Sequence, residues 1–237
     1  MRKSFIVLCV LLLGSANPSL ATDPSSAGSL TGYALSCEAL FKSGEITAHP
    51  SVRYEALDAD TTEGAIKLVQ RNFSYEAGTD DFFEIHPHLM EVAAHRGELR
   101  GLPGYWVAVE VASNHVIGTI GLYESDSYGE HGVWVDWYTV NTRSRGMGIG
   151  KTLLQVAIAH ARTIGLSEIK LYTSNRQAEA AAQIVYEKMG FFEYRRIPQL
   201  DEETAEQVID IDGKTPVEII FRRLVIMCES DPLSKLV

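Results

Sequence analysis

Val140-Asn141-Thr142-Arg143-Ser144-Arg145-Gly146-Met147-Gly148-Ile149-Gly150-Lys151 is the stretch on which the fold turns. It follows an alternating apolar run, Gly132–Val140, and leads into an amphipathic segment that stops at Gly165, so it joins a strand to a helix. Alternate glycines let the backbone turn tightly and aim successive N–H groups at one point. The helix that follows adds its unpaired amides and the positive end of its dipole. Arg143, Arg145 and Lys151 add charge, so in an otherwise acidic chain this cluster is expected to seat a diphosphate. Two common diphosphate loops do not fit. A Walker A loop would need glycine at position 145, where Arg145 stands, and a dinucleotide Gly-x-Gly-x-x-Gly is absent.

Working outward, residues 51–228 read as one mixed α/β domain. Val52–Leu57 is expected as a strand, and Thr61 or Thr62 as the cap of a helix running to Asn72. Asp80 or Asp81 can cap a second helix through Arg96, with Pro87 separating its first turn. Strands are expected at Tyr105–Ala112, Val116–Tyr123 and Gly132–Val140, with turns at Asn114-His115 and Ser125–Gly129. After the helix that stops at Gly165 come a strand Glu168–Tyr172, a helix over 175–189, a strand Phe191–Arg196, an acidic segment over 201–212 and a last strand Val217–Met227. The order is β-α-α-β-β-β-α-β-α-β-β, a single central sheet of about seven strands with helices on both faces.

The 237-residue chain carries 21 Lys+Arg against 31 Asp+Glu, a formal net charge of −10. That balance is a poor match to phosphate backbones and excludes a nucleic-acid partner. Arg2 and Lys3, the apolar run Phe5–Leu13 and the small residues up to Ala21 have the layout of a signal peptide over 1–21. The run is too short for stable membrane insertion. Its loss would bring the charge to −12 and leave Cys37 and Cys228, which could pair in an oxidising compartment or remain separate thiols. This leader implies a secreted or periplasmic protein; the alternative, if it is misread, is the cytoplasm. Residues 22–50 read as an N-terminal arm with a short helix near Cys37–Phe41, and 229–237 as a tail.

The segment Arg143-x-x-Gly146-x-Gly148 resembles the [Gln/Arg]-x-x-Gly-x-[Gly/Ala] signature of the GCN5-related N-acetyltransferase (GNAT) superfamily. Tyr186-Glu187-Lys188-Met189-Gly190-Phe191 resembles that family's Tyr-x-Lys-Leu-Gly-Phe helix ending, and the element order from about 51 to 228 is also the family's. The resemblance implies an N-acetyltransferase with acetyl-CoA as co-substrate. It implies that the cofactor is held by Tyr138, Thr139 and Val140 through backbone groups, and by the loop Arg143, Arg145, Gly146, Met147, Gly148, Ile149, Gly150 and Lys151. The family often carries Asn seven residues before the helix tyrosine. Here Glu179 stands there and Asn175 lies one turn earlier, and both are candidate cofactor contacts. The acceptor is expected to be a primary amine, a small cationic molecule or a peptide amino terminus. A homodimer is left open. The alternative is a secreted or effector-type acyl-CoA-binding protein of this fold with little or no transfer.

Acetyl transfer needs a base for the amine and an acid for the departing thiolate. Helical spacing puts Asn175, Glu179, Ala182 and Tyr186 on one face, and the resemblance points Tyr186 at the CoA sulfur as the acid. Period-two alternation puts Trp134, Asp136, Tyr138 and Val140 on one strand face, with Asp136 as base and Glu124 in reserve. Acidic groups at Glu76, Asp80, Asp81 and Glu84, and at Asp201, Glu202, Glu203, Glu206, Asp210 and Asp212, suit a cationic acceptor. His86, His88 and His95 lack metal-ligand spacing, so no metal is expected.

Overall fold

The computed structural model describes residues 41, 44, 46–73, 89–90, 104–201 and 204–226. The leader over 1–21, most of the arm, all of the second expected helix but Leu89 and Met90, Cys37, Cys228 and the three histidines weighed as ligands lie outside them.

The described elements are β1 (Val52–Ala56), α1 (Ala59–Asn72), β2 (Gly104–Glu110), β3 (Val116–Ser127), β4 (Glu130–Val140), α2 (Ile149–Thr163), β5 (Glu168–Ser174), α3 (Ala180–Lys188), β6 (Phe192–Pro198) and β7 (Glu218–Val225). They build one seven-stranded sheet in the order β1-β2-β3-β4-β5-β7-β6. All neighbours are antiparallel except β4 and β5. The mixed-sheet expectation holds, with α1 on one face and α2 and α3 on the other.

The α1 cap is Asp58, not Thr61 or Thr62. Its side chain accepts from the amides of Asp60 and Thr61, both at 3.0 Å, while the Thr61 hydroxyl accepts from the Asp58 amide at 3.1 Å. This reciprocal box satisfies two backbone donors at once, so the helix starts earlier than expected. Strands β3 and β4 also run further than expected. The two-residue turn Tyr128-Gly129, with φ of 53° and 75°, matches the twist of the hairpin and lets Ser127 pair with Glu130. The expected helix over 175–189 is a 3-10 turn, Gln177–Glu179, followed by α3.

The sheet separates two cores. Trp106, Ala108, Ile120 and Leu122 pack with Leu153, Ala157 and Tyr186 on the α2 and α3 side, whereas Tyr105, Val107 and Val109 pack with Ala65, Ile66 and Val69 of α1. A third cluster on the α1 side, Tyr123, Trp134 and Phe221 with Tyr128, Tyr172 and Tyr194, covers the junction of β4, β5 and β7.

Beside that cluster, Glu130 accepts from the Tyr194 hydroxyl (2.8 Å), Arg195 (3.1 Å) and the buried Lys170 ammonium (3.4 Å). Burial alone would raise the carboxyl, but hydrogen bonds from Tyr194, Arg195 and Lys170 hold it below the ordinary carboxylate range. A depressed carboxyl contributes stability above its unfolded pKa, and that contribution disappears as pH falls through the lower folded value. Glu130→Gln is therefore expected to cost roughly 1–2 kcal/mol near neutrality. In chemical denaturation its deficit should shrink as pH is lowered below about 4; a deficit constant with pH would contradict this.

Candidate active site

β4 and β5 are parallel neighbours with one aligned pair, Trp134 and Lys170. Beyond it β4 continues to Val140 and β5 to Ser174, so the two strands part and leave a wedge between them. The Asn141 amide bonds the Ile117 carbonyl of β3 at 2.8 Å. By strand alternation the Val140 amide faces the opposite edge, the one that β5 has left.

The wedge opens onto the glycine-rich loop. Thr142–Ser144 form a 3-10 turn whose Arg143 amide is held by the Asn141 side chain at 3.1 Å. Gly146 and Gly148 both have φ of +81°, a conformation that would strain any L side chain. Gly148 caps α2 without a side-chain bond. The first ladder bond runs from the Thr152 amide to Gly148 O at 3.0 Å, so the amides of Ile149, Gly150 and Lys151 remain outside the helix ladder. Arg143, Arg145, Met147 and Lys151 are exposed around them, and the first turn has no acidic residue. Arg145 Nε also reaches back to Val140 O at 3.3 Å. Sequence reasoning missed Asn72 at the end of α1. Its amide donates to Thr139 Oγ1 (2.7 Å) and Val140 O (3.1 Å), tying down the strand end.

Gly150 has a different role from the other two loop glycines. A Cβ there would lie 2.6 Å from the Tyr138 hydroxyl, so the missing side chain lets α2 ride against that ring. Tyr138 in turn packs against Tyr186, ring centroids 5.8 Å apart, and Tyr186 packs against Phe191 at 6.0 Å. Burial pushes the Tyr138 phenol well above its ordinary pKa. The two tyrosines thus meet on the α2 and α3 side of the wedge.

Asp136 lies on the other side, which corrects the expected common face of Trp134, Asp136, Tyr138 and Val140. The β3–β4 register runs Thr119 to Thr139 and then Gly121 to Asp136. Two residues of β4, Trp137 and Tyr138, therefore oppose one of β3, forming a bulge at which Trp137 takes φ of 35°. The Thr119 hydroxyl donates to Trp137 O at 2.6 Å and secures it. Trp134 and Asp136 keep the α1 face, Trp137 packs on Phe73 there, and Tyr138 and Val140 turn to the α2 face.

Two candidate cofactor contacts are spent within the chain. Glu179 accepts from the Thr173 hydroxyl (2.6 Å), the Ser174 amide (2.8 Å) and the Ser174 hydroxyl (2.6 Å), anchoring the end of β5. Asn175 donates to Pro216 O and accepts from the Glu218 amide, both at 2.9 Å. With Asn175 outside the helix, the expected face through Glu179 to Tyr186 is not continuous; of those four residues only Ala182 and Tyr186 pack inward from α3, where Val185 joins them. Of the expected acidic acceptor residues, Glu76, Asp80, Asp81, Glu84, Glu202 and Glu203 lie outside the described residues, and three of the others are engaged within the chain. Asp201 and Asp212 cap turns through Thr204 and Thr215, and Asp210 faces Arg176 at 3.7 Å. Glu124 sits at the hairpin end, 3.1 Å from His131. Among the described residues no group of His, Cys, Asp and Glu could hold a metal ion, and no helix is long and apolar enough to cross a membrane.

The fold has counterparts among known proteins. Residues 66–191 match the acetyltransferase (GNAT) family. The chain belongs to that family. Human N-acetyltransferase 8B is 34% identical over 89 residues, a match spanning 37% of this chain and 37% of that protein. A putative acetyltransferase from Salmonella typhimurium, solved with its cofactor acetyl-CoA, superposes with a TM-score of 0.57 at 17% identity, covering 77% of this chain and 98% of that one. A chain of the NatC complex bound to Gag peptide and CoA gives 0.54 at 21% identity, covering 75% and 99%. At these identities the two structural likenesses are of fold.

Proposed function

We propose that this GNAT chain is an acetyl-CoA-dependent N-acetyltransferase acting on a primary amine. The wedge between β4 and β5, ending at the unspent amides of Ile149, Gly150 and Lys151, is the observation that carries this reading. Those amides and the positive end of α2 suit the diphosphate, with Arg143 and Lys151 completing its charge balance. The arm of the donor then lies along the β4 edge at 138–140. Asp136 takes a proton from the amine on the α1 side. The amine nitrogen attacks the thioester carbonyl, the C–N bond forms, the C–S bond breaks, and Tyr186 protonates the departing sulfur from the α3 side. Asp136 keeps the α1 face of β4 and Tyr186 comes from α3, so base and acid approach from opposite faces of the slot, while the bulge at Trp137 turns Tyr138 and Val140 to the α2 side. A carboxylate and a phenol on one face would compete for the same side of the carbonyl. Holding both substrates in line supplies a large share of the rate.

Purified protein with acetyl-CoA and a panel of small amines and peptide amino termini should release free thiol. Tyr186→Phe should lower kcat roughly 10- to 100-fold with little change in the KM for acetyl-CoA. Cofactor binding without thiol release from any acceptor would overturn the transferase reading and leave a binding protein.

A further inference from the structure

Arg222 stands near the middle of β7, paired with Leu171 of β5 on one side and Glu193 of β6 on the other. Its side chain is 8% exposed, and each nitrogen of the guanidinium is spent on α3 or the turn beyond it. Nε donates to Gln183 Oε1 at 3.0 Å, Nη2 to Glu187 Oε1 at 2.9 Å and Nη1 to Phe191 O at 3.4 Å. Gln183 and Glu187 are four residues apart, so they stand one above the other on the helix, with Tyr186 in the turn between them. The Phe191 amide in turn donates to Tyr186 O at 3.0 Å, and the Phe191 ring packs against that of Tyr186. A single fork therefore grips the chain before Tyr186, after it and at its neighbouring ring.

Gln183 carries the contact further. Its amide nitrogen donates to Ser174 O at 2.8 Å and Thr173 Oγ1 at 3.2 Å, and the Thr173 and Ser174 hydroxyls donate to Glu179. One connected set of polar groups runs from β7 through α3 to the end of β5, the strand that borders the wedge. α3 needs such a hold. It has nine residues, too few to persist as a helix in water by itself, it lacks a side-chain cap at its start, and Tyr186 is its one buried residue. The Glu187 side chain is 61% exposed, and an ion pair to so exposed a carboxylate contributes little stability. What the planar guanidinium supplies is geometry, three acceptors fixed by one rigid group, which an ammonium could not match.

We propose that Arg222 is a positioning residue for Tyr186, its buried guanidinium fixing the α3 turn from which the phenol reaches the sulfur. This rests on the reading of Tyr186 as the acid. Arg222→Met keeps an apolar stem on β7 and removes the fork. Its kcat is expected to fall about 5- to 50-fold, the scale of a slightly misplaced reacting group. Affinity for acetyl-CoA, set by the glycine-rich loop, should stay within about twofold. In a Tyr186→Phe background the same substitution should cost nothing further, because the group it positions is gone. Amide hydrogen exchange of the protein without cofactor, read at residues 183–191, should quicken about tenfold in Arg222→Met. Glu187→Ala, an exposed change that spares the core, should move kcat and exchange in the same direction by smaller factors. Equal falls in kcat in the two backgrounds would overturn the proposal, and so would exchange at 183–191 unchanged from wild type. Faster exchange together with wild-type turnover in Tyr186→Phe would uphold the grip of Arg222 on this turn and remove Tyr186 as the acid.

Discussion

Asp136→Asn is expected to lower kcat/KM by roughly 10²- to 10⁴-fold while leaving the affinity for acetyl-CoA near the wild-type value. The amide keeps the shape of the carboxylate but cannot take a proton. Asp136 stands on the α1 face of β4, where that strand has just left β5, whereas the glycine-rich loop and α2 build the other side of the wedge. Loss of the base should therefore be read in transfer and not in cofactor binding. The residual rate should climb with pH as the unprotonated fraction of the acceptor grows, and this dependence should replace the acidic limb expected of the wild type. Steady-state kinetics with a cofactor titration by calorimetry separates the two effects. A variant within about threefold of wild type would move the base elsewhere. Glu124 would then be next to test, although its carboxylate is exposed and already faces His131.

The part of this site legible in the sequence was the part fixed by local chemistry. Glycines at 146 and 148 occupy positive-φ positions, and Gly165 stops α2 at φ of 78°, as residue type alone implies. The strand order followed from periodicity and turn residues. Asp136 shares its strand face with Trp134 as alternation implies, but Tyr138 and Val140 do not join them, because alternation presumes that every residue of β4 has a partner in β3. The bulge at Trp137 is decided by the Thr119 hydroxyl and by cross-strand register, neither of which has a local signature. The same distinction explains Glu179. A carboxylate near a helix start reads as a ligand or a cap, and only the fold brings Thr173 and Ser174 within 2.8 Å of it. The Asp58 cap is the exception that was readable. Asp-x-x-Thr at 58–61 carries the box pattern with the roles of hydroxyl and carboxylate exchanged.

The apex of the wedge sets where the proposed base stands on β4, and Trp134 is the residue that holds it. Trp134 is fully buried, its indole donates to Ser125 O at 3.3 Å, and its ring packs against Tyr172 and Phe221 at 6.2 and 6.4 Å. The Lys170 ammonium lies 5.6 Å from the ring centre, reaching past Gly132 to the His131 carbonyl. This is the one aligned pair between the parallel strands, so packing there reinforces a hydrogen-bonded junction much shorter than the ladders elsewhere in the sheet. Trp134→Ala removes the largest side chain of the third cluster and leaves Lys170 over a void. The expected cost is about 3–5 kcal/mol. For a domain of this size that lowers the melting temperature by roughly 6–20 °C. Activity measured well below the new midpoint should fall as well, because Asp136 is two residues beyond the apex and moves with it. Trp134→Phe, which keeps a ring against Phe221 and Lys170, should restore most of both quantities. A melting temperature within about 2 °C of wild type in the alanine variant would mean that β4 and β5 are joined by something other than this pair, and the wedge would no longer be anchored where the base requires it.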